Sequence, residues 1–390
     1  MAPVSSPLEL SVVIPCLNES ETIGTCVTKA ITAMRQHGIC GEVIVSDNGS
    51  RDGSQAIAEK AGARIVEAEA RGYGNALRAG IASARGKWVI MGDADDSYDF
   101  SILQQFVEKL REGYDLVQGC RLPSGGGTVM PGAMPFLHRW LGNPALSWLV
   151  RKMFHAPIHD IYCGYRGFDR EFYEKLGLGC SGMEFATEMI IQATFHKGRI
   201  ANIPITLHPD GRITGRPHLR TFRDGWRTLR FFLIYSPRWL FLYPSIALIG
   251  VGFLGYLLAL PSLTIGGITF EGHTLLVATL CILLGHQLAF FSVITKSFAI
   301  HEGFLPMDRK THAFRKWFAL EKGIISGGVM MMAGMVLVGC GIWQWREHDF
   351  GNLDYAKTMK LLIPAILLIA LGFQTFFSSF LVNIVALKRS

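Results

Sequence analysis

The chain has 390 residues, 49% of them hydrophobic, and carries a formal net charge of +7. This length is enough for two or more domains. The positive charge is concentrated near the apolar second half of the chain, where it would attract an anionic membrane surface, and no DNA- or RNA-binding motif accompanies it, which argues against a nucleic-acid partner. The 8 cysteines form no CxxC pairs, which argues against a zinc site or a disulfide framework.

The first part of the chain alternates apolar runs with helical segments. Strands are predicted over "ELSVVI", "GEVIVSD", "ARIVEAEA", "KWVIM" and "YDLVQGC". Helices are predicted over "GSQAIAEKAG" and "GYGNALRAGIASARG". Because strands that alternate with helices form parallel pairs, the pattern predicts an α/β fold: a mainly parallel sheet with helices on both faces.

Polar side chains follow three of these strands directly. The segments are "PCLNE" (15–19), "SDNGS" (46–50) and "GDADD" (92–96). Ligands of parallel α/β sheets bind beyond the carboxyl ends of the strands. The three segments are therefore expected to meet in one crevice.

The third segment places two carboxylates, Asp93 and Asp95, at the end of a buried strand. Close carboxylates repel each other unless a cation lies between them or one of them is protonated. Mg²⁺ takes oxygen ligands and shares its coordination shell with substrate phosphates. The pattern thus indicates a Mg²⁺ or Mn²⁺ ion that bridges a nucleotide diphosphate. A solvated acidic turn or a helix cap is the alternative, and the two neighbouring polar strand ends favour the metal.

Two other nucleotide-binding patterns are not supported. The stretch "GYGNAL" (72–77) lacks the full GxGxxG spacing and does not follow the first strand. It is better explained as a turn that begins a helix, so a Rossmann dehydrogenase is not indicated. No GxxxxGK[ST] sequence is present, which excludes a P-loop.

The second part of the chain contains four apolar runs near the bilayer-spanning length of about 20 residues. They cover residues 240–260, 274–294, 323–343 and 361–387. Four such runs in series would leave little polar surface for a water-soluble fold. The sequence therefore predicts an all-α transmembrane region of four helices. The second pair of spans offers surface for a lipid groove or for contact between copies of the chain in a homo-oligomer.

The loops between the spans predict their orientation. The stretch before the first span is rich in arginine, the loop 261–273 has no Lys or Arg, and the loop 301–322 is strongly basic. By the positive-inside rule, the N-terminal domain, the basic loop and the C-terminus face the cytoplasm. An integral protein of the cell inner membrane with a cytoplasmic catalytic domain is expected.

Two segments combine arginines with exposed-looking aromatic residues. They cover 134–154 and 216–239. Both resemble interfacial helices, which place cations and Trp at headgroup depth. The second segment leads directly into the first span, which favours membrane contact. For the first segment, membrane contact and packing on the sheet stay open.

Taken together, these motifs resemble glycosyltransferase family 2. The matching stretches are "VVIPCLNE", "VIVSDNGSRDGS", "GYGNAL", "MGDAD", "LVQGCR", "HDIYCGYRGF" and "HPDGRITGR", within about the first 230 residues. The resemblance is nearest to the polyprenyl-phosphate glycosyltransferases, a group that includes dolichol-phosphate mannose synthases and undecaprenyl-phosphate glucosyltransferases. It implies a GT-A-type sheet, a nucleotide sugar donor and a polyprenyl phosphate acceptor.

The resemblance also implies residues for the donor. Nucleotide binding is expected from the residues at the strand ends and in the later Gly-rich loop: Pro15, Leu17, Glu19, Asp47, Asp93 and Arg212. Asp93 and Asp95 are the expected metal ligands, and Asp95 the expected catalytic one. The family often has Gln or His two positions after the second aspartate, and this chain has Ser97 there. Asp96 is expected to point elsewhere, as a cap for the next helix.

For the acceptor, the resemblance implies cations that bind the lipid phosphate. Arg121, Arg139 and Arg216 are the candidates, because a guanidinium can donate twice to a phosphate. Arg121 and Asp160 are expected to be catalytic, with Asp160 near the sugar or the phosphate. A structural pair between Asp160 and Arg166 is the alternative.

A lipid phosphate is already anionic near neutral pH and needs no strong general base. The expected reaction is therefore an inverting, metal-dependent transfer of a hexose from a nucleotide sugar to polyprenyl phosphate. UDP-glucose is favoured as the donor. Alternatives are a GDP-mannose-dependent mannosyltransferase and a catalytically inactive membrane scaffold.

The predicted organisation has three parts. A cytoplasmic GT-A domain covers residues 1–215, an interfacial amphipathic helix covers 216–238, and the transmembrane domain covers 239–390. The expected partners are the nucleotide sugar, polyprenyl phosphate and the lipid bilayer.

Overall fold

The computed structural model describes residues 8–212, 221–302, 305 and 320–386. The chain divides into two compact units, Met1–Phe232 and Leu233–Ser390. Each unit is described by itself. The predicted domain limits at 215 and 238 stay predictions.

The first unit is built on a seven-stranded sheet with the strand order β3-β2-β1-β4-β7-β5-β8. Its strands are β1 Leu10–Cys16, β2 Gly41–Asp47, β3 Arg64–Glu67, β4 Trp88–Met91, β5 Leu116–Cys120, β7 Arg166–Asp169 and β8 Ile200–Pro204. A separate pair consists of β6 Thr128–Val129 and β9 Thr206–Leu207. All ladder pairs of the large sheet are parallel except those of β7, which runs antiparallel to β4 and β5. The predicted mainly parallel sheet is confirmed.

Eight α-helices lie in the described part of the chain up to Tyr235, and the last of them crosses the limit between the two units. They are α1 Ile23–Gln36, α2 Ser54–Lys60, α3 Tyr73–Ala82, α4 Leu103–Arg111, α5 Asn143–Phe154, α6 Arg170–Leu176, α7 Glu184–Phe195 and α8 Thr221–Tyr235. The helices predicted to follow the second and third strands are α2 and α3. The stretch "GYGNAL" does begin a helix, at Tyr73.

The central strand β1 explains why helices cover both faces of the sheet. Successive side chains of a strand point to opposite faces. Val12 and Ile14 share a core cluster with Val27 of α1. On the other face, Gly80 of α3 lies so close to Val13 that a Cβ there would be 2.5 Å from Val13 Cγ1. Both faces of β1 are therefore buried, which accounts for its almost continuous apolar sequence.

The second unit contains four long helices: α9 Tyr243–Ala259, α10 Gly272–His301, α11 Leu320–Glu347 and α12 Tyr355–Ala386. Four helical segments are long and apolar enough to span a bilayer, at Arg238–Ala259, Gly272–His301, Leu320–Glu347 and Tyr355–Val385. The predicted four-helix region is confirmed. A short hairpin, β10 Thr264–Ile265 and β11 Ile268–Thr269, joins the first two.

Small residues let these helices approach closely. A Cβ on Gly252 of α9 would lie 2.6 Å from the carbonyl oxygen of Ala278 in α10. Likewise, a Cβ on Gly327 of α11 would lie 2.7 Å from the carbonyl oxygen of Gly372 in α12. Close backbone approach through small residues is typical of helices packed in a membrane.

Candidate active site

Strands β1, β2, β4 and β5 run in the same direction, so their carboxyl ends lie at one edge of the sheet. The loops after β4 and β5 are joined by Arg121 Nη1 and Tyr98 Oη, and the loops after β1 and β2 bond to each other. The amide of Asn48, after β2, donates to the carbonyl of Cys16 at the end of β1 (2.9 Å). The amide of Glu19 donates to Ser54 Oγ (2.8 Å). The predicted convergence of the polar strand ends is therefore present in the fold.

The ends of β1 and β2 form one side of the crevice. Asp47 Oδ2 accepts from the amides of Gly49 and Ser50, at 3.0 Å each, and from Gln55 Nε2 at 2.7 Å. Asp47 Oδ1 is buried and has no hydrogen-bond partner among the described residues. Burial alone would raise the pKa of Asp47, but these hydrogen bonds together lower it. The result is an ionised carboxylate with one unused acceptor.

Pro15 and Leu17, which are also expected to bind the donor, flank Cys16, and Cys16 is paired in register with Asp47. Pro15 is half-buried within β1 and is paired in register with Ser46. Leu17 lies just beyond the strand, and 42% of it is exposed. An exposed apolar side chain beside an ionised carboxylate can flank a flat ring while the carboxylate accepts from its edge.

The carboxylates Asp93 and Asp95 follow β4. Asp93 Oδ1 accepts from Tyr73 Oη (2.9 Å), and Asp95 Oδ1 accepts from Ser97 Oγ (2.6 Å). Burial and the neighbouring charge of Asp95 raise the pKa of Asp93 to about 6. Gly164 lies against this pair, because a Cβ there would be 2.8 Å from Asp93 Oδ2. Any larger residue at that position would displace the carboxylate.

Asp96 points away from the pair, as expected, but it does not cap a helix. Its carboxylate binds Lys29 of α1, with Nζ to Oδ1 at 2.8 Å. The short 3₁₀ turn that follows is capped by Asp99, whose side chain accepts from the amide of Ser101. The prediction of a cap was therefore placed three residues too early.

Glu19 and Arg212 join the two ends of the crevice. Arg212 Nη1 donates to Glu19 Oε1 (3.1 Å), and Arg212 Nη2 lies 3.5 Å from Asp95 Oδ2. The same guanidinium also binds Asp210. Burial raises the pKa of Glu19 to about 7, although Arg212 acts in the opposite direction. Residues 193 positions apart in the chain thus share one ionic network.

Arg121 begins the loop after β5 and forms a buried ion pair with Asp160. Its Nε and Nη2 donate to the two oxygens of Asp160, at 2.7 and 3.0 Å. Its Nη1 lies 3.4 Å from Tyr98 Oη. Asp160 is completely buried, and Arg121 is 8% exposed. Burial alone would lower the pKa of Arg121, but the facing carboxylate raises it well above its usual value.

The alternative pair of Asp160 with Arg166 is wrong. Arg166 is fully buried and donates to the backbone carbonyls of Cys163, Ile161 and Ala186. Its guanidinium therefore ties the segment before β7, which contains Ile161 and Cys163, to the first turn of α7, which contains Ala186.

Of the two remaining candidate arginines, the structure describes Arg139. Arg139 is in a short π-helical turn, His138–Gly142, with its guanidinium carbon 5.2 Å from the ring centroid of Trp140. Its Nε is buried without a hydrogen-bond partner among the described residues. Arg216 lies outside the described residues, so its expected role stays a prediction.

The donor set at Asp93 and Asp95 fits a hard divalent cation. The described residues contain no group of three His, Cys, Asp or Glu side chains arranged around one metal position. Mg²⁺ commonly binds through one or two carboxylates and completes its shell with water and substrate phosphates.

Two tyrosines belong to this site and were not predicted from the sequence. Tyr73 binds Asp93, and Tyr98 accepts from the amide of Gly164 (2.9 Å) as well as from Arg121. Tyr98 lies two residues after the acidic motif, but nothing local indicates that its hydroxyl reaches Arg121, just after β5, and Gly164, just before β7. The position of Tyr73 in the "GYGNAL" turn was the one available signal.

Comparison with known families and proteins agrees with this architecture. Residues 11–177 match the model of glycosyl transferase family 2. Residues 293–386 match the model of the glycosyltransferase family 2 C-terminal transmembrane region. The two matches fall separately on the sheet-containing unit and on the apolar helices.

Two relatives are similar over most of their own length. The low-salt glycan biosynthesis hexosyltransferase Agl6 of Haloferax volcanii is 34% identical over 379 residues, which are 96% of this chain and 88% of that protein. The dolichyl-phosphate hexose transferase of the same organism is 32% identical over 219 residues, which are 56% of this chain and 89% of that protein. The second alignment leaves out a large part of this chain.

A solved structure is also similar, at a more distant level. Glucosyl-3-phosphoglycerate synthase from Mycobacterium tuberculosis, in complex with Mn²⁺, UDP-glucose and phosphoglyceric acid, is 21% identical with a TM-score of 0.43. The match covers 58% of this chain and 77% of that chain.

Proposed function

This chain belongs to glycosyltransferase family 2, and we propose that it transfers a hexose from a nucleotide sugar to polyprenyl phosphate at a membrane surface. The observation that carries the proposal is the meeting of three charged groups at one sheet edge: the Asp93–Asp95 pair, the Glu19–Arg212 pair and the Arg121–Asp160 pair. Membership of the family argues against the inactive scaffold.

The nucleotide is proposed to bind at the ends of β1 and β2. Pro15 and Leu17 flank the base, and the unused oxygen of Asp47 accepts from it. An ionised acceptor with no partner is costly in a buried position, which supports a ligand donor there. Glu19, Asp93 and Arg212 line the path from the base to the diphosphate.

The metal is proposed to bind Asp93 and Asp95. When bound, a Mg²⁺ or Mn²⁺ ion would neutralise charge on the departing nucleotide diphosphate. The residues around it hold the two carboxylates in place: Tyr73 donates to one, and Ser97 donates to the other. Gly164 leaves the space that Asp93 occupies.

The lipid phosphate is proposed to bind Arg121. Of the five N–H donors of a guanidinium, three point at Asp160 and Tyr98, which leaves one on each terminal nitrogen for a phosphate. Asp160 is fully buried, so we assign it an orienting role through Arg121. Arg139 and Arg216 are proposed as further contacts for the phosphate or the headgroups.

The reaction itself needs little acid–base chemistry. A phosphate monoester is anionic at neutral pH, so its oxygen can attack the anomeric carbon directly while the bond to the nucleotide diphosphate breaks. Attack from the opposite face inverts the anomeric centre. The protein contributes orientation and compensating charge, which are large terms in catalysis.

The donor is proposed to be UDP-glucose, with GDP-mannose as the alternative. The "DNGS" stretch and the attached spans favour the glucosyl branch. The names of two relatives, a hexosyltransferase and a dolichyl-phosphate hexose transferase, support a hexose and a polyprenyl phosphate without choosing between sugars. The arginine-rich stretch before the first span and the basic loop 301–322 support a cytoplasmic site.

The test is transfer of label into lipid. Membranes containing the full chain are incubated with Mn²⁺, polyprenyl phosphate and either labelled UDP-glucose or labelled GDP-mannose, and the organic phase is counted. Asp95→Asn should abolish transfer. The matched control is Asp96→Asn, which removes a neighbouring carboxylate that faces Lys29 instead and should keep transfer. Full activity of Asp95→Asn would contradict the metal assignment, and no lipid-soluble label from either donor would contradict the acceptor.

A further inference from the structure

Arg212 occupies the position where a cation is needed in the proposed donor site. Its side chain is 13% exposed and faces three carboxylates, those of Glu19, Asp95 and Asp210. The distance to Asp95 Oδ2 is 3.5 Å. One guanidinium thus balances part of the negative charge of two different strand ends.

The chain that carries Arg212 is fixed to the loop of the acidic motif. Tyr98 forms a bridge with Leu207, the amide of His208 donates to the carbonyl of Ser97 (3.0 Å), and the amide of Gly211 donates to the carbonyl of Asp95 (2.9 Å). These bonds join backbone to backbone and do not depend on where the guanidinium points. The side chain of Arg212 can therefore change partners while its backbone stays in place.

A divalent cation and Arg212 cannot share Asp95 without cost. Like charges a few ångströms apart repel strongly at the reduced dielectric of a partly buried site. A nucleotide diphosphate brings negative charge to the same place and offers Arg212 phosphate oxygens, which a guanidinium binds in two-pronged fashion. Binding of metal and nucleotide together would therefore release the arginine from one partner and supply another.

We propose that Arg212 is the resident counter-ion of the donor carboxylates and that it moves from Asp95 and Glu19 to the diphosphate when metal and nucleotide bind. The proposal rests on the proposed metal site and adds an exchange step to it. Its consequence is that nucleotide and metal increase each other's affinity. The metal neutralises Asp95 in place of Arg212, and the diphosphate offers Arg212 a new anionic partner.

The exchange predicts an increase in metal affinity when Arg212 is removed. Mn²⁺ binding is measured by electron paramagnetic resonance on the purified full chain in detergent, without nucleotide. Arg212→Gln should bind Mn²⁺ about fivefold more tightly or better than the native chain, a typical size for coupling between sites. Arg212→Lys keeps the charge and should stay close to the native value. A gain in affinity cannot arise from loss of folding.

The second measurement adds UDP or GDP. In the native chain the nucleotide should tighten Mn²⁺ binding by a larger factor than in Arg212→Gln, where no arginine has to move. Arg64→Gln, which breaks a pair with Glu42 elsewhere in the sheet, is the control and should match the native chain. Equal or weaker Mn²⁺ binding by Arg212→Gln without nucleotide would overturn the exchange.

A third variant separates failure of the exchange from failure of the metal site. Asp95→Asn should lose most Mn²⁺ binding, with or without Arg212→Gln. Loss in Asp95→Asn together with no gain in Arg212→Gln leaves the metal site in place and overturns the exchange alone. Undiminished binding by Asp95→Asn overturns both.

Discussion

The donor side and the acceptor side of this site treat their charges in opposite ways. On the donor side, Glu19 and Asp93 are crowded carboxylates, and their pKa values are raised to about 7 and about 6. On the acceptor side, Arg121 and Asp160 form a complete, two-pronged, buried pair. The difference indicates that the donor-side carboxylates bind a charged ligand, whereas Asp160 serves to orient Arg121.

The comparison also separates two kinds of cost. A carboxylate whose charge is only partly balanced can take up a proton or a cation, so its removal does little harm to the fold. A buried ion pair depends on both members, because the loss of one leaves an uncompensated charge in the interior. Variants on the two sides should therefore differ in stability even where both abolish transfer.

The largest expected effect is on the folding of the first unit. Asp160→Asn should destabilise it by about 3–5 kcal/mol, since Arg121 then remains buried without its counter-charge. Asp95→Asn should leave stability nearly unchanged. Both are measured by thermal unfolding of the purified chain in detergent. The double variant Arg121→Met, Asp160→Leu should recover much of the loss. Equal melting temperatures for Asp160→Asn and Asp95→Asn would remove the distinction between the two sides.

The next effect is on transfer. Arg121→Lys keeps a positive charge. It loses the planar guanidinium, which donates twice to Asp160 and has two further N–H groups for the phosphate. We expect a loss of about 10²-fold in kcat, the size seen when one oriented donor is lost, with nucleotide affinity unchanged. Labelled transfer and equilibrium binding of the nucleotide measure the two quantities. Weaker nucleotide binding with a normal kcat would instead assign Arg121 to binding of the donor.

Much of the fold follows from the sequence, because its patterns are local. The alternation of apolar runs with helices predicts β1, β2, β3, β4 and β5 with α2 and α3, and the four long apolar runs predict α9 to α12. Strand β7 was not predicted. Its sequence, "RGFD", is short and carries a buried arginine, and its position between β4 and β5 depends on long-range pairing.

The site was predictable in its residue types and less so in its pairs. Acidic residues after parallel strands meet at one edge for reasons of topology. Asp160 pairs with Arg121, whereas Arg166 binds backbone carbonyls, and spacing along the chain does not encode which of the two arginines points at the carboxylate. Arg212 reaches Glu19 from a distant loop, which no local pattern could indicate.

A smaller effect concerns pH. Burial raises the pKa of Glu19 from its usual 4.5 to about 7, so the folded state holds this proton more tightly than the unfolded chain does. The resulting stabilisation is fully present below pH 4.5 and is lost as the pH rises to about 7. Without a divalent ion, the native chain should therefore lose about 3 kcal/mol more than Glu19→Gln across this range. Melting temperatures of the two proteins at matched pH test this, and parallel curves would contradict it.

The smallest expected effect concerns Tyr73, and it bears most directly on how the donor side is held. Tyr73→Phe keeps the ring in its place and removes only the hydrogen bond to Asp93 Oδ1. A single hydrogen bond to a charged group contributes about 1.5–3 kcal/mol at most, and solvent can replace part of it.

Mn²⁺ binding to Tyr73→Phe distinguishes two roles of the hydroxyl. If the hydroxyl orients Asp93 for the metal, the affinity falls severalfold. If the hydroxyl mainly compensates the charge of Asp93 when no metal is bound, the affinity rises, because its removal frees Asp93 Oδ1 to bind the metal. Gly164 leaves the space that Asp93 occupies, but the hydrogen bond that orients Asp93 Oδ1 comes from Tyr73. We therefore expect the Mn²⁺ affinity of Tyr73→Phe to fall and its melting temperature to stay unchanged. A rise in affinity would show that Tyr73, like Arg212, compensates the carboxylates in the absence of metal.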